Sequence, residues 1–155
     1  MNSISNATLP FVLFCGILTM CISLIIHSFF LSLTLQTQIK FMKSYPNAIG
    51  FSLIMPSILL STFLFVVSSV IQILIWAFLL MFFGSFANIN DALYFSSTTY
   101  TTLGTGTHVL VPPFRLLEPM EAATGMLVAG LNTAVLFSIL RKVAKKHSRF
   151  DDFLN

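Results

Sequence analysis

The chain has 155 residues, of which 56% are hydrophobic and only 8% are charged. A composition this apolar is unusual for a water-soluble domain and indicates an integral membrane protein. Eight Lys and Arg residues against five Asp and Glu residues give a formal net charge of +3. The basic stretch at 141–149 is only nine residues long, which is too small for a folded nucleic-acid-binding surface.

The first predicted element is a membrane-spanning helix from about Leu9 to Leu35. No charged side chain precedes Lys40, and roughly 20 apolar residues are enough to cross the hydrocarbon core. A cleaved signal peptide fits poorly, because no Lys or Arg precedes the apolar stretch. His27 lies within this span, where we expect a buried polar anchor, with a pH-sensing role as the alternative.

The second apolar stretch, from about Ile49 to Phe86, is too long for one straight span at roughly 1.5 Å per residue. Pro46 and Pro56 lie in its first third, and proline interrupts the hydrogen bonding of a helix. We therefore predict an interfacial or kinked lead-in up to Pro56, followed by a spanning helix over about 57–83. A third span is predicted over about 118–140.

The segment between the second and third spans contains the run Thr-Tyr-Thr-Thr-Leu-Gly-Thr-Gly at 99–106. A cation that has lost its water needs a close ring of oxygens, and glycines at alternate positions let successive carbonyls face one axis. A threonine before them can add a hydroxyl oxygen. The run therefore predicts a pore loop, with an ordinary extracellular loop as the alternative.

A short helix is expected to lead into this loop. Asn88 or Asn90 can cap its start, Asp91 lies in its first turn, and residues 91–101 make about three turns. The carbonyl end of this helix would direct partial negative charge towards the membrane centre, which favours a cation there.

Seven of the eight Lys and Arg residues lie in the 37–50 loop or after residue 140. These two regions are expected to be cytoplasmic, with the N-terminus outside and the C-terminus inside. The 84–119 segment must then enter and leave on the outer side, as a re-entrant loop. We divide the chain into a first helix and loop at 1–45, a pore domain at 46–140 and a basic tail at 141–155.

The stretch Ala92-Leu93-Tyr94-Phe95-Ser96 through Gly106 is similar to the pore of potassium channels, in particular to small bacterial two-pore-domain-like ion-channel proteins. Further similarity covers 72–77, 115–117 and 121–125, and more loosely Leu24-Ile25-Ile26-His27. The resemblance implies an all-α membrane protein that forms a homotetramer, each subunit giving three transmembrane helices, one re-entrant pore helix and one selectivity-filter loop. It also implies a bacterial inner-membrane location and K⁺ as the transported ion, without a cofactor.

The resemblance assigns the selectivity filter to five residues, with K⁺ held at the first four: Thr102, Leu103, Gly104, Thr105 and Gly106. The family filter reads Thr-Val-Gly-Tyr-Gly-Asp, so Thr105 replaces a tyrosine and Thr107 replaces an aspartate. The tyrosine ring of the family packs behind the filter, and a threonine is too short to do so. Three outcomes stay open: a potassium channel, a non-selective cation channel, and a non-conducting accessory protein.

Two residues are candidates for filter support. Tyr100 is one of several aromatic residues that could replace the missing packing. Glu121 either hydrogen-bonds the filter or the pore helix as a buried carboxyl, or is an ordinary acid near a helix N-terminus, as we expect for Glu118. Gly125 and Gly130 fit close helix packing, with a gating bend as the alternative.

Polar residues in the middle of the third span should face protein or water. Asn132 and Thr133 form a stripe at helical spacing with apolar neighbours, and we expect this stripe to line the pore, with bonding between helices as the alternative. The stripe consists of Gly125, Ala129, Asn132, Thr133 and Leu136.

The basic tail is expected to continue the last helix out of the membrane. Four of its residues can meet anionic lipid headgroups: Arg141, Lys142, Lys145 and Lys146. Cys15 and Cys21 are six positions apart on one helix, which argues against a shared metal site or a disulfide. No serine or paired acid with a recognisable base lies at membrane depth, so an enzyme is not expected.

Overall fold

The computed structural model describes residues 2–44, 51–104 and 109–154, and the side chains of 8–41, 43–44, 55–104 and 109–141. Four α-helices make up this part of the chain, and its described residues contain no strand. The helices are α1 (Asn2–Ser44), α2 (Phe51–Phe82), α3 (Ile89–Tyr100) and α4 (Leu117–Leu154), with a 3₁₀ turn at Phe114–Leu116 before α4.

Three segments are long and apolar enough to cross a membrane: Thr8–Phe41, Met55–Phe82 and Phe114–Arg141. They lie in α1, α2 and α4, as the sequence predicts, and the protein is a membrane protein. The first of these segments contains the predicted span at 9–35. The last helix continues through the basic tail to Leu154, as expected.

The predicted second span, at about 57–83, agrees with the membrane-length segment Met55–Phe82, and the lead-in before Pro56 is helical. Helix α2 runs without interruption from Phe51 through Pro56 to Phe82. Pro56 is the sixth residue of the described helix and its ring is exposed. A proline so near a helix start removes only one backbone hydrogen bond and meets few neighbours, so the helix tolerates it.

Contacts between residues divide the chain into two units, and α1, α2 and α4 contribute to both. The first unit comprises 1–27 and 68–128 and contains α3. Its core holds six buried hydrophobic residues: Val12, Trp76, Leu80, Phe95, Leu110 and Leu117. Gly16 lies so close to α4 that a Cβ there would come within 3.0 Å of Met120 and Leu117.

A polar cluster joins α1 to α2 within the first unit. His27 is completely buried, and its Nδ1 lies 3.2 Å from the Ser68 hydroxyl. The Gln72 amide donates to the same hydroxyl at 3.2 Å. Both described hydrogen bonds of the Gln72 amide go to Ser68, one turn back along the same helix, and Ser68 makes the contact to α1.

The second unit comprises 28–67 and 129–155. Its α1 and α2 segments are joined by Gln38, whose Nε2 donates to the Ser57 carbonyl at 2.8 Å and to the Ser61 hydroxyl at 2.9 Å. Ser61 in turn donates to the Ser57 carbonyl at 2.8 Å. The three residues are buried, so their polar atoms bond one another instead of water.

Candidate functional site

Helix α3 begins at a capped N-terminus. Asn88 has an extended backbone, and its side-chain oxygen accepts a hydrogen bond from the Asn90 backbone N–H at 3.1 Å. Asp91 lies in the first turn, where the helix dipole favours a negative charge. The predicted start of the short helix is confirmed, with Asn88 as the cap.

The other end of α3 is closed by a Schellman motif, in which two backbone N–H groups bond back to carbonyls of the last turn. The Thr102 N–H donates to the Thr99 carbonyl at 2.9 Å, and the Leu103 N–H donates to the Thr98 carbonyl at 2.8 Å. The Gly104 N–H reaches the Thr98 carbonyl as well, at 3.1 Å. The motif leads the chain out of the helix directly into the predicted filter residues.

Thr102 occupies the left-handed position of this motif, with φ of 59°. A β-branched residue rarely adopts this conformation, which costs about 1–2 kcal/mol. Helix α2 ends in the same motif, but there the position is held by Gly84, with φ of 70°. Since glycine is the ordinary choice, the threonine at 102 is a local strain of the kind found at functional sites.

The described part of the predicted filter is exposed in a single chain. Thr102, Leu103 and Gly104 are all exposed, and Leu103 has 77% of its surface accessible. Gly104 also has a positive φ, of 70°, with open space where a Cβ would be. Thr105 and Gly106, together with Thr107, lie outside the described residues.

A cavity of about 330 Å³ joins these residues to the start of α4. It is lined by Thr99, Thr102 and Gly104 on one side and by Glu118, Pro119 and Ala122 on the other. The half-buried Glu118 therefore lies beside the predicted filter, a placement that the sequence reasoning missed. Its position at the start of the last span was the only available signal.

Glu121 is completely buried and hydrogen-bonded to α3. The Ser96 hydroxyl contacts the Glu121 carboxyl and also lies 3.0 Å from the Ile73 carbonyl of α2. One hydroxyl hydrogen thus serves two acceptors, and the second carboxyl oxygen has no partner among the described residues. This network links α2, α3 and α4 directly behind the last two turns of the short helix.

Tyr100, the last residue of α3, is buried against α4. Its carbonyl oxygen lies where a Cβ on Gly125 would be. Gly130 has open space around it, so the two glycines of α4 have different surroundings. The structure gives Gly125 a packing role against α3, which was one of the two interpretations of the sequence.

The remaining residues of the predicted pore stripe lie in the second unit. Ala129 and Thr133 are exposed, and the Thr133 hydroxyl donates to the Ala129 carbonyl at 2.9 Å. Asn132 and Leu136 are half-buried. The Asn132 side-chain oxygen has no hydrogen-bond partner in the described part of the chain.

The described residues contain no group of three or more His, Cys, Asp or Glu side chains that could hold a metal ion. Cys15 and Cys21 are both free thiols.

A family model described as "Ion channel" matches residues 59–142, which is more than half of the chain. The match begins within α2, includes all of α3 and the predicted filter, and ends just after the third span. Comparison with curated proteins and with solved structures gave no significant match.

Proposed function

Because this chain belongs to the ion channel family, we propose that it is a passive channel for monovalent cations and that it conducts potassium. The observation that carries the proposal is the end of α3. There a capped helix between two membrane-length helices passes directly into Thr102, Leu103 and Gly104, with left-handed backbone at 102 and 104. Such alternation of backbone direction is what a ladder of carbonyl oxygens around an ion requires.

The proposal includes a homotetramer. One chain supplies a single loop, and a ring of oxygens around a dehydrated cation needs several copies of it. Leu103 is exposed in the single chain, and in the proposed tetramer a neighbouring subunit would cover it. We place Thr102, Leu103, Gly104, Thr105 and Gly106 on the axis, with α3 as a re-entrant pore helix.

The support of the proposed filter comes from α4. Glu121 is hydrogen-bonded to Ser96, and the Tyr100 carbonyl packs directly against Gly125. Helix α4 therefore holds α3 at two points one turn apart. In the proposed channel these contacts take over the supporting role that the tyrosine ring has in the family filter, where this chain has Thr105. The carbonyl ladder can therefore keep its spacing without an aromatic ring in the filter itself.

The proposed topology follows the flanking charges, with the N-terminus outside and the basic tail in the cytoplasm of a bacterial inner membrane. In this orientation Ala129, Asn132, Thr133 and Leu136 line the cavity on the cytoplasmic side of the filter. The tail residues Arg141, Lys142, Lys145 and Lys146 then face anionic headgroups.

The test is to reconstitute the purified protein in liposomes and record currents with potassium on one side and sodium on the other. We expect a reversal potential near the potassium limit. A reversal potential near zero with clear current would mean a non-selective cation channel, which is the second candidate because Thr105 and Thr107 depart from the family filter. No current from the wild type, together with current from the Thr105→Tyr, Thr107→Asp double variant, would identify a non-conducting accessory protein.

A matched pair of glycine variants tests the position of the pore. Gly104→Ala and Gly84→Ala introduce the same methyl group at the same φ of 70°, and both sites have open space around them. We expect Gly104→Ala to abolish or strongly reduce the current, and Gly84→Ala to leave the current of each folded channel unchanged. Equal effects of the two variants would contradict a pore at Gly104.

A further inference from the structure

A second cavity, of about 410 Å³, lies in the second unit between the end of α1 and the start of α2. Its size is in the range of small-ligand pockets, about 300–1,000 Å³. Lys40 and Lys43, the first charged residues after the apolar part of α1, mark the end of the first span, so the cavity is at one boundary of the membrane. Its lining includes Gln38, Lys40, Phe41 and Ser44 of α1 and Pro56 and Leu60 of α2.

The walls of this cavity combine apolar surface with one cation. Phe41, Pro56 and Leu60 supply the apolar contacts, and Lys40 is exposed. The buried Gln38 amide already donates to the Ser57 carbonyl and to Ser61, so its two N–H groups are not available to a ligand in the cavity. None of the described lining residues is acidic, which leaves the Lys40 ammonium without a counter-charge in the cavity wall.

We propose that this cavity binds an anionic glycerophospholipid, with one acyl chain along Phe41, Pro56 and Leu60 and the phosphate at the Lys40 ammonium. An apolar cleft at the membrane boundary is accessible to lipid chains, and a basic residue at its edge selects anionic headgroups. The Ser44 side chain, on the same face of α1 one turn after Lys40, adds a hydroxyl to the headgroup side.

This lipid site differs from the contacts proposed for the basic tail, which lies at the other end of the chain. It also does not depend on conduction, because the cavity is formed by α1 and α2 alone. Failure of the lipid experiment would therefore leave the channel proposal intact, and a channel that does not conduct would leave the lipid site intact.

The experiment counts phosphatidylglycerol molecules bound to the purified protein in zwitterionic detergent by native mass spectrometry. Lys40→Gln is compared with Lys43→Gln, since Lys43 is also exposed at the end of α1 but does not line the cavity. We expect Lys40→Gln to weaken the tightest phosphatidylglycerol binding about fivefold, and Lys43→Gln to change it less than twofold. Equal losses in both variants would mean diffuse attraction to a basic surface and would overturn the proposal.

A second pair of variants tests the apolar part. Leu60→Trp fills the cavity with a larger side chain, whereas Leu59→Trp adds the same bulk at an exposed neighbour outside it. We expect only Leu60→Trp to displace the lipid, with both variants eluting as folded protein. Unchanged binding in Leu60→Trp would overturn the proposal, as would wild-type binding of zwitterionic phosphatidylcholine equal to that of phosphatidylglycerol.

Discussion

Gly125 of α4 packs directly against the backbone carbonyl of Tyr100, the last residue of α3, and leaves no room for a side chain at position 125. The contact lies one helical turn from the hydrogen bond between Glu121 and Ser96. Helix α4 therefore holds the short helix at its carbonyl end, which is the end from which the predicted filter residues start.

The first prediction concerns this contact. Gly125→Ala should lower the free energy of unfolding by about 2 kcal/mol, because the methyl group overlaps the Tyr100 carbonyl and forces α3 and α4 apart. Gly130→Ala is the matched control: it has nothing within 4 Å and gains helix propensity, so it should be neutral or stabilising by up to about 1 kcal/mol. Thermal unfolding in detergent, followed by circular dichroism, measures both. Similar effects would contradict the packing role of Gly125.

A second prediction concerns the left-handed residue at the end of α3. Thr102→Gly should raise the stability of the folded chain by about 1 kcal/mol, since glycine adopts a φ of 59° without the steric cost that threonine bears. The reverse change at the end of α2, Gly84→Thr, should lower it by about 1–2 kcal/mol.

The Thr102→Gly variant also separates an effect on stability from an effect on conduction. Thr102→Gly removes the side-chain hydroxyl and retains the backbone carbonyl. If the hydroxyl oxygen contacts the permeating ion, this variant should be more stable and yet change the currents in the liposome assay. A variant that is more stable and conducts like the wild type would assign the Thr102 hydroxyl no role in permeation.

The third prediction concerns the buried network behind α3. Ser96→Ala removes the described hydrogen-bond partner of Glu121 and one partner of the Ile73 carbonyl, and should cost about 1–3 kcal/mol. Glu121→Gln should cost less than about 1 kcal/mol, because its amide group can donate to Ser96 and leave the serine hydrogen for Ile73.

A double-mutant cycle checks this pairing. Ser96→Ala combined with Glu121→Leu should be less destabilised than the sum of the two single variants, because the second change removes the carboxyl that the first leaves unbonded. Additive effects in thermal unfolding would show that the two side chains do not interact.

The fourth prediction compares two glutamines of α1. Gln38→Met should lower the free energy of unfolding by about 1 kcal/mol, since it removes two hydrogen bonds to α2 at similar side-chain volume. Gln36→Met loses only a bond to Ser32 of its own helix on an exposed face and should change stability by less than about 0.5 kcal/mol. Equal losses in the unfolding measurement would argue against the joining of α1 and α2 by Gln38.

Much of the fold could be predicted because it depends on local patterns. Hydropathy and length locate the three spans, and Asn88 with Asp91 marks the start of α3 within two residues. The second span lies where it was predicted, and α2 continues as a helix through Pro56, since a proline removes only its own backbone donor from the helix.

The candidate site could be predicted only in part. The Thr and Gly residues of 99–106 indicate a pore loop from their type and spacing, whereas the strain at Thr102 depends on how α3 ends. Glu118 looks like an ordinary acid at a helix start, yet it lines a cavity with Thr102 and Gly104. Such proximity arises between residues distant in sequence, which no local pattern encodes.

The sequence by itself determined that this is a helical membrane protein with a short helix and a glycine-bearing loop before its last span, because hydrophobic length and helix capping are properties of neighbouring residues. Only the tertiary structure distinguished residues that look alike in the sequence: Gly125 from Gly130, and Gln38 from Gln36. The two members of each pair lie on the same helix. A second helix packs against the face that carries one member and not against the face that carries the other.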